Sequence, residues 1–127
     1  MSPTDNTSTR ALAALDHLVA AFASNDEAAY FGCCSPAARF VFPDTPGVAL
    51  GVEEYRTLWR GWRSEGWRVE KCVSTERDVL IVGDVAIATH RVSTTLDDGT
   101  ELSERETVVF DLAASPRPLV VHEHLSA

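Results

Sequence analysis

The chain nears its end with ELSERETVVFDLAASPRPLVVHEHLS, residues 101–126, a stretch that predicts two β-strands joined by a loose turn. Successive side chains of a strand point to opposite faces of the sheet. His122 and His124 therefore share one face of the last strand, and Glu123 points to the other. Strand pairing decides whether the histidine pair or the single carboxylate faces the interior of the protein.

The strand pattern extends back through the second half of the chain. WRVEKCV (67–73) and DVLIV (78–82) are followed by VAIATHRVSTTL (85–96). Gly83-Asp84 and Asp98-Gly99 each have the composition of a two-residue hairpin turn. These signals together predict a long antiparallel meander.

The first half of the chain shows helical spacing instead. Apolar residues recur at helical intervals through TRALAALDHLVAAFASND (9–26), whereas residues 1–8 are polar and are predicted to be loose. We expect a short second helix in DEAAYFGCC with Asn25 as its cap, a strand at ARFVF, a loop at PDTPG and a third helix in VEEYRTLWRGWRSE. Helices ahead of an antiparallel meander indicate an α+β fold, in one domain over residues 9–127.

Composition excludes several classes of partner. The 127 residues include eleven Lys and Arg against nineteen Asp and Glu, and the formal charge of −8 argues against nucleic acid and anionic membranes. No apolar run is long enough to cross a bilayer, and the N-terminus lacks the pattern of a signal peptide, so we expect a cytoplasmic protein. Cys33, Cys34 and Cys72 should then be reduced, and their spacing suggests neither a disulfide framework nor a zinc site.

Three segments carry a resemblance to a known superfamily: AAFASND…AAYFGCCSPAARFVF, EEYRTLWRGW and RETVVF…LVVHEHLS. Over residues 9–126 the chain resembles the nuclear-transport-factor-2-like superfamily, which includes ketosteroid isomerases, limonene epoxide hydrolase, SnoaL-like polyketide cyclases and the association domain of calmodulin-dependent kinase. The resemblance implies a cone-shaped fold, with three N-terminal helices packed on a curved antiparallel sheet that wraps around a pocket. It also implies a homodimer formed through the outer face of the sheet.

Turn positions suggest a register for the last three strands. Pairing of residues 97 and 100 would place Arg91 opposite Glu106, and the AASPRP turn permits Val108 beside Glu123, with Phe110 beside Val121. A slip of one residue would exchange the two faces. The expected inner face comprises Arg91, Glu106, Val108, Phe110, Val121, Glu123 and Leu125.

The resemblance supports the same inner face. Glu123 matches a catalytic Asp on the last strand of limonene epoxide hydrolase, and Glu106 matches the carboxylic acid that donates to the oxyanion in ketosteroid isomerase. The chain departs from the isomerases at two positions: Phe42 precedes Pro43 where they have the basic Asp, and Leu18 stands where they have a Tyr. Steroid-type proton transfer is therefore not expected.

These observations lead to a predicted site. Two carboxylates in an apolar cavity should have separated pKa values, so Glu106 and Glu123 would act as acid and base with Arg91 between them. The alternative is a buried ion pair without chemistry. The residues expected to line the pocket are Phe42, Tyr55, Trp59, Asp44, Val108, Val121 and Leu125; a turn-forming role for Asp44 is equally open.

The sequence thus favours a pocket for a small apolar or aromatic molecule. The expected chemistry is cofactor-independent acid–base catalysis by an isomerase, cyclase or hydrolase. A non-catalytic ligand-binding or assembly domain is the alternative. A metal site made by His122, His124 and His90 is a weaker hypothesis, because no carboxylate follows at a matching distance. We therefore expect no metal and no cofactor.

Overall fold

The computed structural model describes residues 3–45 and 49–127. In this part of the chain there are three helices and five strands. The helices are α1 (Pro3–Ala23), α2 (Glu27–Phe31) and α3 (Val52–Ser64). The strands are β1 (Cys34–Val41), β2 (Val69–Val82), β3 (Val85–Leu96), β4 (Glu101–Asp111) and β5 (Leu119–Ser126). The fold is α+β, as predicted.

Helix α1 begins at Pro3, six residues before the expected start at Thr9. Proline is well tolerated in a first turn, where its missing N–H would have no partner in the helix. Residues 3–8 of the segment expected to be loose are therefore helical, while residues 1 and 2 lie outside the described part. One face of α1, including Leu15 and Leu18, is buried against the sheet.

The short helix α2 is capped by Asp26, and the predicted cap at Asn25 is wrong. The Asp26 side chain accepts a hydrogen bond from the Ala29 N–H at 3.1 Å. Asn25 adopts left-handed backbone geometry, with φ 61°, and its amide bonds both backbone groups of Val69 at 2.7 and 2.8 Å. This contact fixes the end of α1 to the first residue of β2.

The sheet has the strand order β1-β5-β4-β3-β2. Strands β2 to β5 form the predicted antiparallel meander, but β1 pairs with β5 in parallel. The sheet is therefore mixed, which corrects the expectation of an antiparallel sheet. Strand β1 lies between α2 and α3, as predicted for ARFVF. No short turn joins β1 to β5, and turn chemistry therefore does not constrain their relative direction.

The register between β3 and β4 differs by one residue from the prediction. His90 pairs with Glu106, and Arg91 pairs with Arg105. The cause is a three-residue loop in place of a two-residue turn: the Leu96 N–H donates to the Thr100 carbonyl at 2.8 Å, and Gly99 has φ 90°. Such a loop, with glycine in the left-handed position, is the next most common hairpin connection.

The register between β4 and β5 agrees with the prediction at Val108 and Glu123, which are paired. Beyond that point a bulge shifts the strand, and Phe110 pairs with Val120 in place of Val121. Val120 is consequently in the core, whereas Val121 is only partly buried. The predicted pocket-lining position of Val121 is therefore wrong.

The core lies between the helices and the inner face of the sheet. Its largest fully buried side chains include Trp59, Phe40, Phe110 and Leu15. Two polar residues, His90 and Glu123, are equally buried, with 0% and 1% exposure. Polar groups so deeply buried require hydrogen-bond partners, which directs attention to their surroundings. No helix in the described residues is both long and apolar enough to span a membrane.

Candidate functional site

Alternation along β3 places His90 inside and Arg91 outside. The Arg91 guanidinium ion-pairs with Glu76 and donates to the Ser103 hydroxyl at 3.1 Å, both on the outer side of the sheet. The prediction that Arg91 lies between the two glutamates is therefore wrong. The shift of one residue in the β3–β4 register is the physical reason, since it exchanges the two faces of the strand.

A chain of hydrogen bonds runs from Ser74 through His90 to Glu106. The His90 Nε2 atom lies 2.7 Å from Oε1 of Glu106, and its Nδ1 atom lies 2.6 Å from the Ser74 hydroxyl oxygen. Strands β2, β3 and β4 each contribute one of these residues. Both ring nitrogens are thus engaged, so the imidazole is held in one orientation.

Burial favours the uncharged form of both partners in this pair. It lowers the pKa of His90 to about 4, and the positive charge of Arg77 adds to the effect. Burial also raises the pKa of Glu106 to about 8, with a further contribution from the Glu104 charge. Near neutral pH the pair therefore holds one proton between the carboxylate oxygen and Nε2, while the Nδ1–H donates to Ser74.

Glu123, which lines the same cavity as Glu106, accepts a hydrogen bond from a tyrosine. The Tyr30 hydroxyl lies 3.0 and 2.8 Å from the two oxygens of Glu123, and the Tyr55 hydroxyl donates to that of Tyr30 at 3.3 Å. Burial raises the pKa of Glu123 well above its usual range, the charge of Glu106 adds to this, and the Tyr30 bond opposes it. Burial, followed by the Glu123 charge, likewise raises the pKa of each tyrosine, so both remain donors.

Two cavities that share part of their walls lead to these groups. The inner chamber, of about 60 Å³, has Glu106 and Glu123 in its wall, and most of its other lining side chains are apolar. The outer chamber, of about 240 Å³, is more open and leads to the surface. Six residues line both chambers: Phe22, Phe42, Tyr55, Thr94, Glu104 and Leu125. The arrangement is an apolar funnel with ionisable groups at its narrow end, as is common in ligand sites.

The family model of the SnoaL-like domain matches residues 11–127. The chain belongs to the SnoaL-like domain family. No curated protein matches the sequence significantly.

Solved structures share the fold of this SnoaL-like domain at low identity. A nuclear-transport-factor-2-like protein from Cytophaga hutchinsonii is 15% identical, with a TM-score of 0.79, over 100% of this chain and 99% of that one. A candidate ketosteroid isomerase from Parabacteroides distasonis is 17% identical, with a TM-score of 0.72, over 88% and 83%. The association domain of CaMKII from C. elegans is 20% identical, with a TM-score of 0.78, over 97% of both chains. Such identities show the fold alone, because one fold hosts many unrelated activities.

The residues predicted to line the pocket of this SnoaL-like domain fall into two groups. Phe42, Tyr55 and Leu125 line both chambers, and Asp44 lines the outer one. Trp59 and Val108 line neither chamber: both are buried in the core, where Trp59 stacks on Tyr30 at 4.9 Å between ring centroids. Trp59 therefore supports the tyrosine from behind and does not face the cavity.

Three contributors to the site were missed at the sequence level. His90 would have been found by placing a three-residue loop at Asp98-Gly99, since that choice turns the residue inward. The contact of Tyr30 with Glu123 joins residues 93 positions apart. Ser74 lies in a strand that carries no motif. No local signal indicates either of these last two contacts.

The histidines of this SnoaL-like domain do not form a common site. His90 is inside the sheet, His122 is partly buried on the outer side, and His124 is exposed. Among residues 3–45 and 49–127, no group of three His, Cys, Asp or Glu side chains is arranged to hold a metal ion. The three-histidine hypothesis therefore finds no support in the described part.

Burial also raises the pKa of Cys33, Cys34 and Cys72, which keeps them as thiols.

Proposed function

We propose that this SnoaL-like domain binds a small, largely apolar or aromatic molecule and catalyses proton transfer on it without a cofactor, as an isomerase or cyclase does. The observation that supports this most is the His90–Glu106 pair at the narrow end of an apolar funnel. A buried, hydrogen-bonded carboxyl group is costly for the fold, and such groups concentrate at functional sites.

Glu106 is the proposed acid–base residue. A catalytic group works best when its pKa lies near the working pH, and the Glu106 value of about 8 meets that condition. Oε1 is bonded to His90, whereas Oε2 has no hydrogen-bond partner among the described residues. Oε2 therefore remains available to a molecule in the inner chamber.

His90 and Ser74 are proposed as positioning residues. When Glu106 loses its proton, the His90 Nε2–H donates to the carboxylate, and the Ser74 hydroxyl can turn to donate to Nδ1. The change from acid to base thus moves the Glu106 proton onto Nε2 and releases the Nδ1 proton through the Ser74 hydroxyl, so the imidazole changes tautomer and stays neutral. The side chains need not move.

Glu123 and Tyr30 are proposed to stabilise negative charge that develops on the substrate. Burial favours the protonated form of Glu123, so its O–H can donate to an enolate oxygen in the inner chamber while Tyr30 donates to its other oxygen. In the proposed step, the Glu106 carboxylate takes a proton from the carbon next to a carbonyl group. The electron pair moves onto the carbonyl oxygen, and return of the proton to another carbon completes an isomerisation. If the reaction were a hydrolysis, protonated Glu106 would instead act as the acid and give its proton to the substrate.

Exchange of substrate protons with heavy water tests the proposed function. Small cyclic ketones and β-dicarbonyl compounds would be incubated with the protein in D₂O, and loss of the proton signal would be followed by NMR. We expect exchange above the buffer rate for at least one compound that also shifts protein resonances. If compounds bind and none exchanges, the domain binds ligands without catalysing proton transfer.

Assembly is a second candidate function, favoured by an apolar row on the outer face of the sheet. Leu80 pairs with Ile87, Ile87 with Val109, and Val109 with His122 across four strands. Leu80 is 56% exposed in the monomer. Two solved structures that share the fold are named as the association domain and the hub homology domain of CaMKII. We propose that two copies of this chain form a homodimer through the outer sheet face.

Sedimentation velocity tests the proposed homodimer. At micromolar concentration the native chain should sediment as a dimer. Val109→Glu should shift it to a monomer, because the new carboxylate would be buried without a partner in the interface. Thr57→Glu adds the same charge on the exposed side of α3 and serves as the control. A monomeric native chain, or equal effects of the two substitutions, would contradict this interface.

A further inference from the structure

The wall of the outer chamber contains a continuous arc of aromatic rings. It consists of Phe22, Trp67, Trp62, Tyr55 and Phe42. Neighbouring rings along this arc are in contact, with centroid distances of 5.7, 6.1, 6.2 and 4.8 Å. The rings come from α1, α3 and the segments that follow α3 and β1. Aromatic faces therefore surround much of the space through which a ligand enters.

Two carboxylates complete the outer chamber. Asp44 and Glu104 both belong to its wall, and neither has a hydrogen-bond or ion-pair partner among the described residues. Burial, followed by the charge of Asp44, raises the pKa of Glu104. Glu104 is half-buried, so it is partly removed from water without a counter-charge.

Positive side chains are absent from the funnel. Among the described residues, no Lys or Arg lines the inner or the outer chamber. The ionisable groups of the inner chamber, Glu106 and Glu123, are carboxyl groups and supply no positive charge either. The whole chain also carries a formal charge of −8, which favours the approach of cations.

We propose that the outer chamber recognises a small organic cation, such as a quaternary ammonium group, carried by the molecule on which Glu106 acts. Aromatic faces attract such cations electrostatically, and this attraction is strongest where water is excluded. Asp44 and Glu104 would supply the counter-charge. The inference rests on the proposed function, because it names the class of ligand for the same pocket.

Other ligand classes fit these walls less well. A ligand anion would face the carboxylates of Asp44 and Glu104 in the outer chamber without a positive side chain. A bare metal ion needs several oxygen or nitrogen ligands in a tight set, and the described residues provide no such group of three. A neutral ligand would leave the half-buried Glu104 carboxylate without a partner.

Choline and 3,3-dimethylbutan-1-ol distinguish charge from shape, because the second compound replaces the quaternary nitrogen of choline by carbon. Binding would be measured by calorimetry and by the fluorescence of Trp62 and Trp67. We expect choline to bind at least tenfold more tightly than its neutral counterpart. We also expect the preference to shrink as the NaCl concentration rises, because partly exposed charges are screened.

Matched variants assign the cation to the outer chamber. Glu104→Gln keeps the size of the side chain and should weaken choline binding about tenfold, with little effect on the neutral compound. Asp44→Asn should act in the same direction. Glu101→Gln, on the same strand, removes an equal charge from the opposite, outer face of the sheet and should leave choline binding unchanged.

The outcomes separate this inference from the proposed function. Equal binding of the two compounds, no binding of choline, or equal effects of Glu104→Gln and Glu101→Gln would overturn the cation site. If ketones nevertheless exchange protons, the proposed proton transfer is supported and only the cation site is rejected. If choline binds selectively through Glu104 while no carbonyl compound exchanges, the cation site stands and the proposed chemistry fails.

Discussion

Glu106→Gln is expected to slow proton exchange on a bound carbonyl compound by roughly 100- to 10,000-fold, the usual contribution of a positioned acid–base group. Glutamine keeps the shape of the side chain and can accept from the His90 Nε2–H, so the hydrogen-bond chain to Ser74 can persist. It cannot take up a proton from the substrate. The defect should therefore appear in the exchange rate and leave ligand affinity nearly unchanged.

The control for this variant is again Glu101→Gln, which removes a carboxylate from the outer face of β4. It should exchange protons at the native rate. A native rate in Glu106→Gln would remove Glu106 from the proposed chemistry. Loss of ligand binding together with activity would point to a role in binding the ligand and not in proton transfer.

The pH dependence of the proton-exchange rate tests the role of Glu106 in a second way. The base form of Glu106 appears as the pH rises through its pKa of about 8. The native rate should consequently increase with pH and level off above that value. In Glu106→Gln the remaining rate should lack this rise, which a merely structural defect would not remove.

The second large effect concerns stability, which should be highest at mildly acidic pH and fall as the pH rises. A buried carboxyl group whose pKa is raised holds its proton more tightly in the folded chain than in the unfolded one. Folding stability therefore falls from the unfolded pKa, near 4.5, until the folded pKa is reached. For Glu123 the expected slope is about 1.4 kcal/mol of unfolding free energy per pH unit.

The His90–Glu106 pair adds a further loss of folding stability at higher pH. Between roughly pH 4.5 and 6.5 the pair holds one proton in both the folded and the unfolded chain, so its contribution is flat. Above the ordinary histidine pKa of 6.5 the unfolded chain has released that proton, whereas the folded chain keeps it up to about pH 8. The resulting loss over this interval is roughly 2 kcal/mol.

Glu123→Gln isolates the part of the pH dependence of stability that is due to Glu123. The variant has no proton to lose, so its unfolding free energy should be nearly constant between pH 5 and 6.5, where the native value declines. Urea titrations at several pH values would measure both curves. A variant that is less stable at every pH, with the native slope, would show that Glu123 is ionised and serves only as the acceptor for Tyr30.

Local patterns in the sequence determined much of the fold. The alternation of VAIATHRVSTTL predicted a strand with two different faces, and glycine-containing turns predicted the antiparallel order of β2, β3 and β4. The pairing of Val108 with Glu123 also follows from pattern and turn length. These features depend on neighbours in the chain, whose steric and hydrophobic preferences act over a few residues.

The tertiary structure decided which side chains meet in the cavity. One more residue in the loop at Asp98-Gly99 turns His90 inward and Arg91 outward, because side chains alternate along a strand. The bulge at Val121 and the parallel pairing of β1 are likewise settled by packing across the sheet. The Tyr30 hydroxyl on α2 meets Glu123 on β5 across 93 positions of the chain, and no local preference encodes a contact between segments that distant.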